Sequence, residues 1–446
     1  MGRQPYKSIL AGWGRHPVVE GLVYKSENLA AIVGAATLSR GLGRSYGDAS
    51  LPANAHSPVA DTTWANRLLS FDPVSGLLRA EAGVSLYDLN RVFLTRGWFV
   101  PVSPGTQFVT LGGMAASDVH GKNHHCEGSF GEHVRRLKLA LADGRIMECS
   151  DTEERELFRA TIGGMGLTGH ILEVEFSLRP IPSPWVWCES ERLDDLDAIT
   201  AGLKEAAHAW PMTVAWVDCL ARGKKLGRGI LMKGRWAEIG EAPRRLFSWK
   251  RRWRVPFQFP GFVLNRASMK LFNLAYFWKH IPRHRAGVMH PEAFFYPLDG
   301  LDDWNLIYGR RGFTQYQCVL PCETDNAPLR RFLELFRSLG GSGFLCVVKD
   351  CGAEGKGLLS FPRPGLSIAV DFPVHPRKTQ ALVDRLNELV IEEGGRIYLT
   401  KDAFTRAEHF RAMEPRLESF NAIRRRYDPQ ARLRSALSVR LLGDNF

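Results

Sequence analysis

Residues 104–125 read Pro104-Gly-Thr-Gln-Phe-Val-Thr-Leu-Gly-Gly-Met-Ala-Ala-Ser-Asp-Val-His-Gly-Lys-Asn-His-His125. Small residues at Gly112, Gly113, Ala115 and Ala116 let main chain press against a flat or anionic ligand, and His120, Lys122, His124 and His125 add polar groups beside it. Two other stretches share the design. Ser39-Arg-Gly-Leu-Gly-Arg-Ser-Tyr-Gly-Asp48 sets Gly41, Gly43 and Gly47 around Arg44 and Ser45. Seen alone it reads as a structural turn, because it lacks the Gly-Lys-Ser/Thr of a P-loop and its Gly-x-Gly-x-x-x-Gly spacing departs from the dinucleotide fingerprint. Thr161-Ile-Gly-Gly-Met-Gly-Leu-Thr-Gly169 repeats the arrangement before a strand at Ile171. Three such loops in one region are more than turns alone require.

Around them, short helical and strand patterns alternate. Ser26 is read as the cap of a helix that turns Leu29, Ile32 and Val33 inward, and Leu77 to Glu81 as a strand. Ser85 and Asp88 form a capping-box-like start for a helix with Leu86, Leu89, Val92 and Phe93 on one face, ended by Gly97. Asp143-Gly144 is a hairpin turn, and Leu172, Val174, Phe176 and Leu178 alternate as a half-buried strand. Pro180, Pro182 and Pro184 then break the pattern and mark a boundary. Beyond it, strands at Thr213 to Cys219, Gln315 to Leu320, Phe344 to Lys349 and Ser367 to Phe372 are interleaved with helices, notably Lys378 to Glu393, and the last fifty residues return to helix. At 446 residues the chain has room for two or three domains, and its 45% hydrophobic and 24% charged content excludes disorder, collagen and coiled coil. The class expected is α+β.

The net charge of +12 is unevenly placed. Between Arg244 and Arg285 lie eleven Lys or Arg, ten aromatic residues and no Asp or Glu, which accounts for nearly all of the excess. Rings at headgroup depth and cations against anionic lipid suit a bilayer interface, where each basic residue adds about 1 kcal/mol. Arg266 and Lys270 interrupt the middle, so the segment is expected to lie on a membrane and not to cross it. No RNA or DNA module surrounds it, and nucleic acid is not an expected partner. Met1 to Pro17 lacks the apolar core of an export signal, and no apolar run is long enough to span a bilayer. The eight cysteines are scattered and expected to be reduced core residues. The close pairs Cys318/Cys322 and Cys346/Cys351 have no matching His, so no metal site is expected.

Taken together, Gly-Leu-Gly-Arg-Ser-Tyr-Gly-Asp, Pro-Gly-Thr with Leu-Gly-Gly and His-Gly-Lys-Asn, and Gly-Gly-Met-Gly-Leu-Thr-Gly resemble the vanillyl-alcohol-oxidase (PCMH-type) family of FAD-binding domains. Within it the chain is most similar to the branch of flavoprotein oxidases acting on polyprenyl-phosphoryl ribose. That likeness extends through Gln315-Tyr-Gln317, Lys349, Val370-Asp-Phe-Pro373, Gly394-Gly-Arg-Ile-Tyr-Leu-Thr-Lys-Asp402 and Tyr427-Asp-Pro429, nearly the whole chain. It implies a two-domain α+β architecture, with an FAD domain from 1–180 plus 396–446. A mixed-sheet substrate domain would occupy 185–395, with a basic aromatic membrane-facing loop at 244–285.

By the same resemblance, FAD would be wrapped by Gly41, Gly43, Arg44, Ser45, Tyr46, Gly47 and Asp48, and by Pro104, Gly105, Thr106, Gly112 and Gly113. Ser117, His120, Gly121, Asn123, Gly166, Gly169, Ile171 and Tyr398 would complete that site. Asp48 stands where covalent relatives often carry a flavin-linking His, which implies non-covalent FAD. Oxidising a secondary alcohol needs removal of the hydroxyl proton and hydride transfer to flavin. The matching basic residue is Lys401, with His120 and Tyr46 lining the pocket. Lys122 and Lys349 would meet a substrate phosphate, Gln315 and Gln317 the sugar hydroxyls, and Ala369 replaces a cysteine found in mycobacterial-type members.

The implied reaction is FAD-dependent oxidation of the 2′-hydroxyl of polyprenyl-phosphoryl-β-D-ribose to a 2′-keto sugar in arabinose-donor synthesis for the cell envelope. A separate NAD(P)H-dependent keto-reductase would take the product. The expected location is cytoplasmic, peripheral at the inner membrane, with the periplasmic side left open. An aldonolactone or alditol oxidase of the same superfamily, acting on free sugars, is the alternative.

Overall fold

A computed structural model describes residues 5–244, 247–322 and 325–444. Met1 to Gln4 of the N-terminal segment and Arg245 of the basic segment lie outside the described residues.

The protein is α+β. Its first part holds a four-stranded sheet in the order Tyr6–Ala11, Val18–Lys25, Pro58–Asp61, Leu38–Arg40, the last three running parallel. Beside it is an antiparallel five-stranded sheet in the order Leu68–Asp72, Leu77–Glu81, His170–Ser177, Val134–Ala140, Ile146–Ser150. One face of that sheet is dry because Leu78, Ala80, Val174 and Phe176 alternate inward onto Leu86, Leu89, Leu111 and Met114 of the covering helices. Ser85 closes a full capping box with Asp88, which starts the helix Leu86–Phe93 at the expected place. Ser26 behaves differently. Its Oγ accepts from the Asn28 amide and shapes a local turn, and the helix that follows covers only Ala30–Val33.

The second part is an eight-stranded sheet in the order His284–Met289, Val186–Leu193, Gly229–Trp236, Met212–Val217, Cys346–Cys351, Gly365–Pro373, Phe313–Leu320, Arg396–Ile397. Helices Leu196–Ala209, Ala327–Ser338 and Pro376–Glu392 supply Leu203, Phe332, Phe336 and Leu386 to its core. Arg396 and Ile397 pair with Val319 and Cys318, so a division of the chain at 396 cuts this sheet. The same core takes Ala160 and Leu167 from the first part and Phe420 and Leu437 from the C-terminal helices.

The basic segment is more ordered than a loop. Residues Arg266–Trp278 form a helix, capped by the Asn265 side chain, whose Met269, Asn273 and Phe277 recur at helical spacing and are buried. Asn273 donates to Asp218 and to the Gly343 carbonyl and pins the helix to the sheet. Leu271, Phe272, Leu274 and Trp278 stay exposed on the other side, together with Trp253, Phe257 and Phe262. Among the described residues, no helix is long and apolar enough to cross a membrane.

Candidate active site

A cavity of about 490 Å³ is lined from both parts of the fold. One wall is the loop Gly41 to Ser45 and the turn Pro104 to Thr106. Among the described residues, no backbone carbonyl accepts from the amides of residues 42–45 or of Gly105 and Thr106. Arg44 sits among them, its guanidinium 3.9 Å above the Trp13 ring and its buried Nε without a partner. Free amides around a guanidinium with an unpaired N–H are the donor set that a pyrophosphate answers. A methyl group at Gly105 would meet no protein atom within 4 Å. The short helix Leu111–Ala116, capped by Thr110, continues the wall through Gly112 and Gly113, and Gly166, Gly169 and Ile171 line the far side. These residues fit a dinucleotide diphosphate.

The cavity wall also carries a cluster of cationic side chains. Lys349 Nζ donates to His120 Nδ1 at 3.2 Å, and His120 Nε2 lies 3.0 Å from the Gln317 carboxamide, which also donates to Ser367. Burial, with Lys349, His124 and Lys401 nearby, holds the His120 pKa well below that of free histidine, so the ring is neutral. Burial lowers Lys349 to about 8, and burial together with Lys349 lowers Lys122 to about 7. Lys122 Nζ donates to the Phe295 carbonyl at 3.0 Å.

Lys401 Nζ stands 3.9 Å from the centre of the Tyr46 ring, which is set edge-on against Phe313. Burial and Lys349 push the Lys401 pKa down, against the pull of the buried Asp371 carboxylate. Asp371 accepts from Gln315 through one oxygen, its other oxygen has no partner, and burial raises its pKa. Val214, Met232, Met289, Leu345 and Val347 make the remaining wall apolar, with Ala369 beside them.

Most residues singled out in the sequence meet at this cavity: Ser117, Gly121, Tyr398, Gln315 and Gln317 are also on its wall. Three are not. Gly47 packs against the backbone of Asp402, where any side chain would collide. Asp48 is turned away into an ion pair with Arg440, its oxygens each 2.8 Å from that guanidinium. Asn123 donates to the Pro101 carbonyl at 2.7 Å and shapes its loop. Sequence reading missed Trp13, Asp299 and Arg440. Asp299 accepts from the Gln107 amide at 2.8 Å and lines the wall near Arg44, and burial raises it to about 6. A lone Asp in a Pro/Leu-rich turn carries no pattern that would have announced it.

Two expected results follow from the wall. Gly105→Ala leaves apoprotein stability unchanged but weakens FAD binding about tenfold or more, because the methyl enters ligand space; titrating apoprotein with FAD checks this. The cavity wall carries no thiol among the described residues, and Cys126 alone is exposed. Maleimide treatment of the native protein should label Cys126 and leave activity intact.

A family profile described as FAD binding domain matches residues 25–150. Fold, cavity and profile define an FAD-dependent oxidoreductase with a PCMH-type cofactor domain. The decaprenylphosphoryl-β-D-ribose oxidase of Mycolicibacterium smegmatis is 35% identical over 450 aligned residues, 97% of each chain, so this chain belongs to that oxidase family. An uncharacterised protein of Streptomyces coelicolor, from the mprA 5′ region, is 32% identical over 80% of this chain and 100% of its own length. A Neurospora crassa protein provisionally assigned as a D-arabinono-1,4-lactone oxidase is 32% identical over only 26% of this chain and 20% of its own.

Proposed function

We propose that the protein oxidises the 2′-hydroxyl of a polyprenyl-phosphoryl-β-D-ribose to the 2′-keto sugar, for a separate NAD(P)H-dependent keto-reductase to complete, on the route to an arabinose donor of the cell envelope. The observation that carries this reading is the match to the mycobacterial oxidase along 97% of both chains. A cavity whose wall combines a lysine cluster with an apolar stretch suits a sugar phosphate with a lipid tail.

Bound FAD, held without a covalent link, supplies the hydride acceptor. Lys401 takes the hydroxyl proton, a task its lowered pKa suits because more of the amine is neutral near pH 7. Neutral His120, fixed between Lys349 and Gln317, holds the sugar in place with Gln315. Lys122 and Lys349 offer charge to the phosphate. The test is product analysis. Short-chain prenyl-phosphoryl ribose should lose two hydrogens, and free alditols and aldonolactones should be returned unchanged; turnover of the free sugars instead would overturn the assignment.

Placement at the inner membrane belongs to the same reading. Exposed Phe272, Leu274 and Trp278 stand beside exposed Arg266, Lys270 and Lys279 on and next to one helix. Flotation with anionic vesicles should recover the protein at low salt, and less at high salt, since exposed charges are screened. Phe272→Ser with Trp278→Ser should abolish recovery without loss of the yellow colour; equal binding by wild type and the double variant would contradict this placement.

A further inference from the structure

We propose that Arg440 is a positioning residue that locks the cofactor loop to the segment bearing Lys401. Residues 46–48 and 400–402 run side by side. At one end the Tyr46 amide donates to the Thr400 carbonyl at 2.9 Å. In the middle Gly47 rests on the Asp402 backbone with no room for a Cβ. At the other end Arg440 joins both runs: Nε and Nη2 donate to the two oxygens of Asp48, and Nη1 donates to Asp402 Oδ2, all at 2.8 Å. Nη1 also reaches the Thr405 carbonyl, and Asp402 Oδ1 accepts from the Phe404 and Thr405 amides.

The side-chain exposures of Asp48 and Asp402 are 6% and 8%, so their charges have little water to fall back on. Without the guanidinium, two buried carboxylates face each other and the runs separate. Arg440 belongs to the helix Ala436–Leu442, which Ser435 caps and whose Ala436 amide donates to the Leu51 carbonyl, so the fork arrives on a fixed support. Lysine cannot replace it, because a single ammonium lacks the planar fork that serves Asp48 twice and Asp402 once.

This inference rests on the proposed reaction only for its rate arm. The experiment pairs R440K with R424K. Arg424, on the helix Leu417–Tyr427, makes a similarly two-pronged buried pair with Asp444, just past the end of the Ala436–Leu442 helix and away from the cavity wall. Both variants should lose thermal stability. R440K alone should bind FAD at least tenfold more weakly and, at saturating FAD, should be bleached by prenyl-phosphoryl ribose at least tenfold more slowly with KM within threefold. If R440K and R424K lose FAD affinity equally, or R440K loses none, the positioning role is overturned. Should R440K fail to fold, D402N is judged by the same two readouts. If the ribose substrate fails to bleach wild type, the proposed reaction falls while FAD affinity still judges the clamp.

Discussion

Lys401→Ala should keep its yellow cofactor and lose about 10²- to 10⁴-fold in the anaerobic rate of flavin bleaching by prenyl-phosphoryl ribose, the usual cost of removing a positioned general base. The amine is held over the Tyr46 ring, and Tyr46 is itself fixed by the hydrogen bond from its backbone amide to the Thr400 carbonyl and by Phe313. Nothing in the cradle from Leu42 to Ser45 or at Gly105 depends on that amine, so FAD affinity should change by less than threefold. The pH profile follows from the charges around the site. Proton acceptance needs neutral Lys401, whose pKa is pushed down by burial and Lys349, so the rate should fall as pH drops through that lowered value. Phosphate binding draws on charged Lys122 and Lys349, lowered by burial to about 7 and about 8, so KM should rise as pH climbs through that range. In Lys401→Ala the acid limb should vanish while the alkaline rise in KM remains. An unchanged bleaching rate in the variant removes Lys401 from the chemistry.

Gly47→Ala should be the most damaging single-methyl change near the site. Its new Cβ would overlap the Asp402 carbonyl and lie 2.9 Å from the Ala403 Cβ, and neither backbone can retreat while Tyr46 holds Thr400 and Arg440 holds Asp402. Overpacking of this kind costs about 1–3 kcal/mol or more. The expected outcome is protein that purifies largely colourless, with FAD affinity down about a hundredfold at ~2.7 kcal/mol. Gly105→Ala is the contrast: its methyl meets open cavity, so apoprotein melting should stay put. Equal melting temperatures for the Gly47→Ala and wild-type apoproteins would mean the two runs are not packed as described.

Much of the frame was legible because local chemistry and global packing agree there. Ser85 and Asp88 carry a capping box that needs no tertiary help, and Leu172 to Leu178 alternate at the period a half-buried strand demands. The glycine loops were readable for a similar reason: backbone exposed to a ligand requires small residues wherever it occurs. What escaped depends on distant partners. Ser26 carries the right residue type for a cap, but a local bond to the Asn28 amide wins. The helix Arg266–Trp278 was hidden inside a run of charge and aromatics, and its orientation is fixed by Asn273 meeting Asp218 and Gly343 and by buried Met269 and Phe277. Asp48 reads as a neighbour of the cofactor because it is next to Gly47 in sequence. Its side chain instead answers Arg440, a residue near the other end of the chain that no local pattern connects to it.

The most direct measurement is an anaerobic titration of the purified yellow protein with prenyl-phosphoryl ribose, followed in the visible flavin band. Bleaching should be complete with one equivalent per flavin, with the 2′-keto sugar recovered in the same amount, as the proposed oxidation requires. A band that persists through excess substrate, yet fades with a free alditol or lactone, would contradict it.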